Sequence, residues 1–233
     1  MNGGRRLNLH DQVLRELGLR IVAGKVRPGE TLGNEADLGR VLGVSRTVIR
    51  EAIKSIAAKG LVTSRARVGT QVRPPSAWNL LDPDVLGWRY ESLPPMLFFR
   101  DLFDVRRVVE PAAAEIAAEK ATGADLESIE AACRDMEQAE PASEAAIVAD
   151  VAFHRAILMA CHNDLLLQMG TLIGVGLQTS FRISTRFYPQ SLPFHRPVLE
   201  AIRARRPAAA RSRMLKLLAE TFEVVERVLK TVK

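Results

Sequence analysis

The sequence is poor in cysteine and has no long apolar run, and each shortage excludes a class of protein. Two cysteines, Cys133 and Cys161, occur in 233 residues. They form no pairing motif, so a disulfide framework is excluded and each thiol is expected as a small buried apolar group in a reducing compartment. The opening MNGGRRLNLHDQV has basic residues but no apolar stretch behind them, which is not the pattern of a signal peptide. No run of 18 apolar residues follows, so a cytoplasmic chain with no membrane partner is expected. Nucleophile elbows and phosphate loops are also missing. Gly170, Gly174 and Gly176 follow no strand, and they read as places of close helix contact, not as a nucleotide loop.

What is present is a strongly uneven charge. Residues 1–76 hold 14 lysines and arginines against six aspartates and glutamates, a net of +8, whereas the remainder holds 19 against 21, a net of −2. A basic front module is an electrostatic footprint for nucleic acid, and a mildly acidic remainder argues against general adhesion to anionic surfaces. The length suits one or two domains with real cores.

The stretch NEADLGRVLGVSRTVIREAIKSIAAK explains that charge. Leu38, Val41 and Leu42 recur at helical spacing behind an Asn34 cap, and Gly43 supplies a residue able to turn a helix end. A second helix starts at Ser45, its apolar side formed by Val48, Ile49, Ala52, Ile53 and Ile56, with Arg46, Thr47 and Arg50 on the other side. Two short helices with a tight turn fit a major groove, and Arg46 and Arg50, one turn apart, offer planar donor forks to guanine edges or phosphates. An ordinary amphipathic pair with solvated arginines has the same pattern. Residues 61–65 and 70–73 are β-prone runs around a basic, glycine-bearing tip, which reads as a hairpin. Upstream, Val13, Leu14, Leu17 and Ile21 mark a first helix ended by Gly24 and Pro28-Gly29. The expected organisation is a winged helix-turn-helix over 1–75, a bridging segment over 76–96 that opens at Pro74-Pro75 and contains WNLLDPDVLGW, and an all-helical domain over 97–233.

GVSRTVIREAI followed by KGLVTSRARVGTQV resembles the DNA-binding domain of the GntR superfamily of bacterial transcription regulators, as does VLRELGLRIVAGKVRPGETL before it. The resemblance implies DNA contacts from Ser45, Arg46, Thr47 and Arg50 and from the wing residues Arg65, Arg67 and Gly69. Gly33 stands where the family usually has proline, and Ala36 where some members place an arginine for DNA.

The rear portion reads as helix throughout. Phe98, Leu102, Val105, Val109, Ala112 and Ile116 alternate at four and three, a bundle stripe that Pro111 is expected to kink. Further helices are expected over 126–138, 147–161, 165–184, 192–202 and 208–228, giving a mainly α chain. Asp150 and His154 lie four apart, so both side chains reach one spot, and His195 opens a later helix. An aspartate with two histidines is a ligand set for zinc, manganese, nickel or iron. Spacing alone leaves open a hydrogen-bonded core pair. His162 is expected at a helix end or on the surface.

DVRRVVEPAAAEIAAEKAT, ADVAFHRAILMACHNDLL and FHRPVLEAIRARRPAAA resemble the FCD effector domain of the FadR-like branch of that superfamily. The resemblance implies a divalent metal (Zn, Mn or Ni) on Asp150, His154 and His195 beneath a carboxylate effector, with Arg106 meeting the carboxylate. Asn163 and Arg182 are further candidates for the pocket, and a surface role for Arg182 is equally open. Leu217 replaces a final histidine of the family, leaving three ligands. That replacement and WNLLDPDVLGW are similar to the sugar-acid branch that includes galactonate-type repressors, which points to a sugar acid as effector. The reading is a homodimeric regulator, a repressor on an inverted-repeat operator, and not an enzyme. The alternatives are a metal-dependent helical hydrolase with an accessory winged helix and a scaffold whose winged helix binds protein.

Overall fold

The computed structural model describes residues 8–65, 68–141, 143–184 and 191–231, with backbone alone at some helical positions, 176 and 178–184 among them. Two compact units result, Met1–Leu93 and Pro94–Lys233.

In the first unit, α1 (Leu9–Val22), α2 (Glu35–Leu42), α3 (Arg46–Ala58), β1 (Val62–Arg65), β2 (Gly69–Val72) and α4 (Pro83–Ser92) follow in order. The helix ends are set by single side chains. Asn8 accepts from Asp11 N–H and Asn34 from Asp37 N–H, both at 2.8 Å, while Gly43 takes the left-handed conformation (φ 66°) that closes α2. Val41 departs from its expected stripe and is 71% exposed. The turn at Gly43 brings the Val44 carbonyl and Ile49 against Gly39, and Val41 lies about 200° around the helix from that contact.

Strands β1 and β2 are antiparallel, from Val62 opposite Val72 to Arg65 opposite Gly69. Residues 29–32 extend the sheet: Gly29 N–H donates to the Val72 carbonyl, and Leu32 N–H to that of Thr70.

The segment expected to bridge two domains belongs instead to the first unit. Pro74 and Pro75 end the strand, but Pro75–Ala77 form a 3-10 turn and the chain folds back. Trp78, Val85 and Trp88 are buried in one core with Leu17, Ile21, Ile49 and Ile56. A Cβ on Gly18 of α1 would lie 2.4 Å from the Trp88 ring, so glycine is what allows α4 to lie this close. Lys59, at the end of α3, bonds both oxygens of Asp82 at 2.9 and 2.8 Å, and Asp82 also caps α4. With the boundary after Leu93, Asp82, Asp84 and Glu91 join the first unit with Arg89. That unit then carries the whole +6, and the second unit is neutral.

The second unit consists, among the described residues, of α5 (Pro95–Lys120), α6 (Gly123–Gln138), α7 (Glu144–Met159), α8 (Asp164–Ser184), α9 (His195–Arg203) and α10 (Pro207–Thr231), with a 3-10 turn at Leu192–Phe194. Helix α5 continues through Pro111, and its buried face is rotated from the expected stripe. Phe99, Phe103, Arg106, Glu110, Ala113 and Ala117 are buried, while Val105, Val109, Ala112 and Ile116 are half-buried. A purely apolar stripe passes over Arg106 and Glu110. Phe99, Phe103 and Phe222 stack where α5 meets α10. Gly170 does mark close helix contact, since a Cβ there would lie 3.0 Å from Leu158 of α7, whereas one at Gly174 would stand at an ordinary 3.7 Å from Val151. Both cysteines are buried and unpaired.

Candidate functional site

The helix-turn-helix presents α3 with its basic side outward. Ser45 caps the helix, its side chain accepting from Val48 N–H at 3.4 Å. Arg46, Thr47 and Arg50 are exposed, as the buried residues Ile49, Ala52, Ile53 and Ile56 require of the opposite face. The two arginines differ. Arg46 makes no ion pair among the described residues, whereas the Arg50 guanidinium meets Glu35 of α2, Nη2 to Oε2 at 3.1 Å. In the wing, Arg65 is exposed opposite Gly69, whose φ of 96° favours glycine. Arg67 lies outside the described residues.

In the second unit, α5, α7 and α9 bring buried charge together. Arg106, Glu110, Asp150, His154 and His195 are each less than a tenth exposed. Asp150 and His154 project from one side of α7, four residues apart. His195 begins α9, and its Nδ1 sits 3.2 Å from the Ser191 carbonyl and 3.3 Å from that of Leu192. A carbonyl accepts only from a protonated nitrogen, so in the neutral ring the Nε2 lone pair faces Asp150 Oδ1, 3.0 Å away. Neither oxygen nor lone pair can donate, and Nε2 has no aligned hydrogen bond among the described residues. Two acceptors facing each other in a dry interior are reconciled by a proton on the ring or by a metal cation between them. His154 Nε2 is 3.9 Å from the same oxygen, and one ligand atom from each of the three residues lies within 4.8 Å of the others. First-row metal ligands at bonds of about 2.0–2.1 Å stand roughly 3–3.5 Å apart, so the His195–Asp150 pair at 3.0 Å matches such an ion, while His154 at 3.9 Å stands wider than that spacing. The outer contacts also suit a metal ion, since metal-binding imidazoles turn their second nitrogen to a carbonyl or carboxylate.

That carboxylate is Glu110, which the sequence did not single out. Its Oε1 accepts from Arg106 Nε at 2.6 Å, and its Oε2 contacts His154 Nδ1, close enough for an ion pair though not aligned as a hydrogen bond. Burial alone would push the Glu110 carboxyl up, but Arg106 and His154 more than offset it and hold it down at about 2. Asp150 is held below the ordinary carboxylate range in the same way, burial opposing and His195, His154 and Arg106 prevailing. The signal available in the sequence was the spacing of Arg106 and Glu110, four apart on one helix.

Not every expected residue joins this centre. Asn163 is exposed and caps α8, its side-chain oxygen accepting from Leu165 and Leu166 N–H at 3.0 and 3.2 Å. The side chain of Arg182 lies outside the described residues. Leu217 is buried in the apolar core. His162 is exposed and meets Asp125 at 2.9 Å.

Comparison with known proteins decides what these units are. Residues 9–72 match bacterial regulatory proteins, gntR family, and residues 101–220 match the FCD domain. The chain belongs to the GntR family. Within that family it is 36% identical to the galactonate operon transcriptional repressor of Escherichia coli (strain K12) over 227 residues, covering 95% of this chain and 99% of that protein. The solved structure of Streptococcus agalactiae GntR aligns with a TM-score of 0.51 at 27% identity, over 91% of this chain and 98% of that one. The structure of Lar, described as controlling the Listeria monocytogenes agr system, shares the fold with a TM-score of 0.67 at 21% identity, over 96% and 99%. As a GntR regulator with an FCD domain, the chain is a ligand-responsive DNA-binding transcription regulator and not an enzyme, and the hydrolase alternative is not favoured.

Proposed function

We propose that this regulator represses a catabolic operon as a homodimer on an inverted repeat, and that a small hydroxy-carboxylate of the sugar-acid class releases it. The carboxylate would bind in the helical domain beside a divalent metal held by Asp150, His154 and His195. The observation that carries this reading is the charge of the buried centre. With both imidazoles neutral, as metal ligation requires, one guanidinium and two carboxylates leave it at −1. A divalent cation brings it to +1, and a monocarboxylate then neutralises it, so the centre is matched to one cation and one acid together.

The parts divide as follows. A bound divalent ion supplies a Lewis-acid anchor for hydroxyl and carboxylate oxygens. Arg106 attracts the acid: its Nη1 is buried and has no hydrogen-bond partner among the described residues. The galactonate operon named for the relative from Escherichia coli supports a sugar acid. On DNA, two copies of α3 would enter successive major grooves about one helical turn apart, with Arg65, Arg67 and Gly69 of the wing at the backbone. Acid binding would favour an arrangement of the dimer in which the two copies of α3 no longer match that spacing.

The test is metal titration of the purified, chelator-treated protein, wild type against Asp150→Ala. It is paired with release from operator DNA by D-galactonate and related acids. Binding at micromolar metal that Asp150→Ala abolishes supports the metal centre. No binding by either protein removes it.

A further inference from the structure

Glu110 has no task in the reading above, yet it stands between the two halves of the centre. It is 2% exposed, one turn along α5 from Arg106, and it uses one oxygen for each neighbour: Oε1 for Arg106 Nε and Oε2 for His154 Nδ1. His154 Nδ1 is the nitrogen opposite the one nearest Asp150. A carboxylate shared in this way divides its charge, because what the guanidinium draws is withdrawn from the imidazole. Arg106 Nη1 is buried without a hydrogen-bond partner among the described residues, and His154 Nε2 is directed at the Asp150 side.

We infer that Glu110 is the positioning residue that couples the cation site of Asp150, His154 and His195 to the anion site at Arg106. The inference rests on the metal reading just given. A carboxylate that reaches Arg106 competes with Glu110 for the guanidinium. Glu110 then acts more fully on His154 Nδ1, making the imidazole a stronger donor at Nε2, and the cation is held more tightly. By linkage the cation must favour the acid by the same factor. In this scheme Arg106→Gln imitates the acid-bound condition, since it takes the guanidinium away from Glu110.

The experiment titrates the full, chelator-treated chain with Zn2+ by calorimetry and with Co2+ by visible absorption. Wild type is compared with Glu110→Gln, Arg106→Gln and the double variant. Glu110→Gln is expected to weaken Zn2+ about 10- to 100-fold, the range found for lost outer-shell partners, and to shift the Co2+ band. Arg106→Gln is expected to bind Zn2+ as tightly as wild type or more tightly, and the double variant to follow Glu110→Gln. The double variant leaves neither buried charge alone, so it keeps the test decisive if a single variant fails to fold. A purely structural role would weaken both single variants together and leave the Co2+ band in place, which would overturn the inference. Should wild type bind Zn2+ and both Glu110→Gln and the double variant bind it within about twofold, the coupling falls while the metal centre stands. Should wild type bind neither ion, the metal centre falls and takes the coupling with it.

Discussion

Arg46 and Arg50 sit one turn apart on the exposed side of α3, and the structure assigns them different starting points for DNA binding. Arg46 has no ion-pair partner among the described residues, while Arg50 is held by Glu35. If Arg46 forks a guanine edge, Arg46→Ala costs about 1 to 3 kcal/mol, roughly 5- to 150-fold in affinity, and the loss falls on the preferred sequence alone. Arg50 must first leave a carboxylate. Its pair with Glu35 is half-exposed, and exposed pairs are weak, so Glu35→Gln is expected to tighten DNA binding by about two- to threefold through the freed guanidinium. Arg50→Ala is then expected to cost less than Arg46→Ala. Fluorescence anisotropy on a duplex enriched from genomic fragments, set against a scrambled duplex at two salt concentrations, separates the cases. A phosphate contact lowers the salt slope by about one and weakens all sequences alike. Weaker binding by Glu35→Gln, or a larger loss for Arg50→Ala than for Arg46→Ala, would refute the assignment, because Glu35 would then be orienting Arg50 and not competing with DNA for it.

The packing of α4 gives a second prediction. Gly18→Ala places a Cβ 2.4 Å from the Trp88 ring, and overpacking of this kind is expected to destabilise by about 1 to 3 kcal/mol. The chain's two tryptophans, Trp78 and Trp88, both lie in the first unit, so denaturant unfolding followed by their fluorescence reads it directly; an unchanged midpoint would contradict the contact. Acid stability gives a third. Arg203 holds the Glu130 carboxyl, and Arg196 that of Glu137, below their ordinary value of 4.5. Depressed carboxyls contribute stability above that value and lose it as pH falls through the lower folded values. Glu130→Gln with Glu137→Gln is therefore expected to lower the melting temperature at pH 7 and flatten its decline below about pH 4.5; an unaltered acid limb would count against these pairs.

The features legible in the sequence were those decided by one residue and its near neighbours. Asn34, Gly43 and Ser45 fix helix ends by their own chemistry, and the spacing of Asp150 and His154 already places both on one side of a helix. His195 was a candidate by residue type alone, since its approach to Asp150 depends on how α9 returns to α7. What stayed hidden depended on distant partners. Helix α5 is rich in alanine and valine, so hydrophobicity barely distinguishes its faces, and the stripe chosen on apolar residues passed over Arg106 and Glu110, which the structure buries. That most of the 76–96 segment packs in the first unit was hidden for a related reason. Only the absence of a side chain at Gly18, 70 positions before Trp88, lets the indole dock, and neither residue announces the other.

The placement of α4 has a mechanical consequence. Helix α4 ends at Ser92 and α5 begins at Pro95, leaving Leu93 and Pro94 as the covalent tether between the DNA-reading and effector units. Such a tether reaches no more than about 11 Å from Ser92 to Pro95, and the ring of Pro94 fixes one of its torsions. On the first unit's side of this tether, α4 is anchored by Trp88 to α1 and by Asp82 to the end of α3. A few flexible residues inserted after Leu93 should leave both units folded, with the effector still bound but no longer heard at the operator.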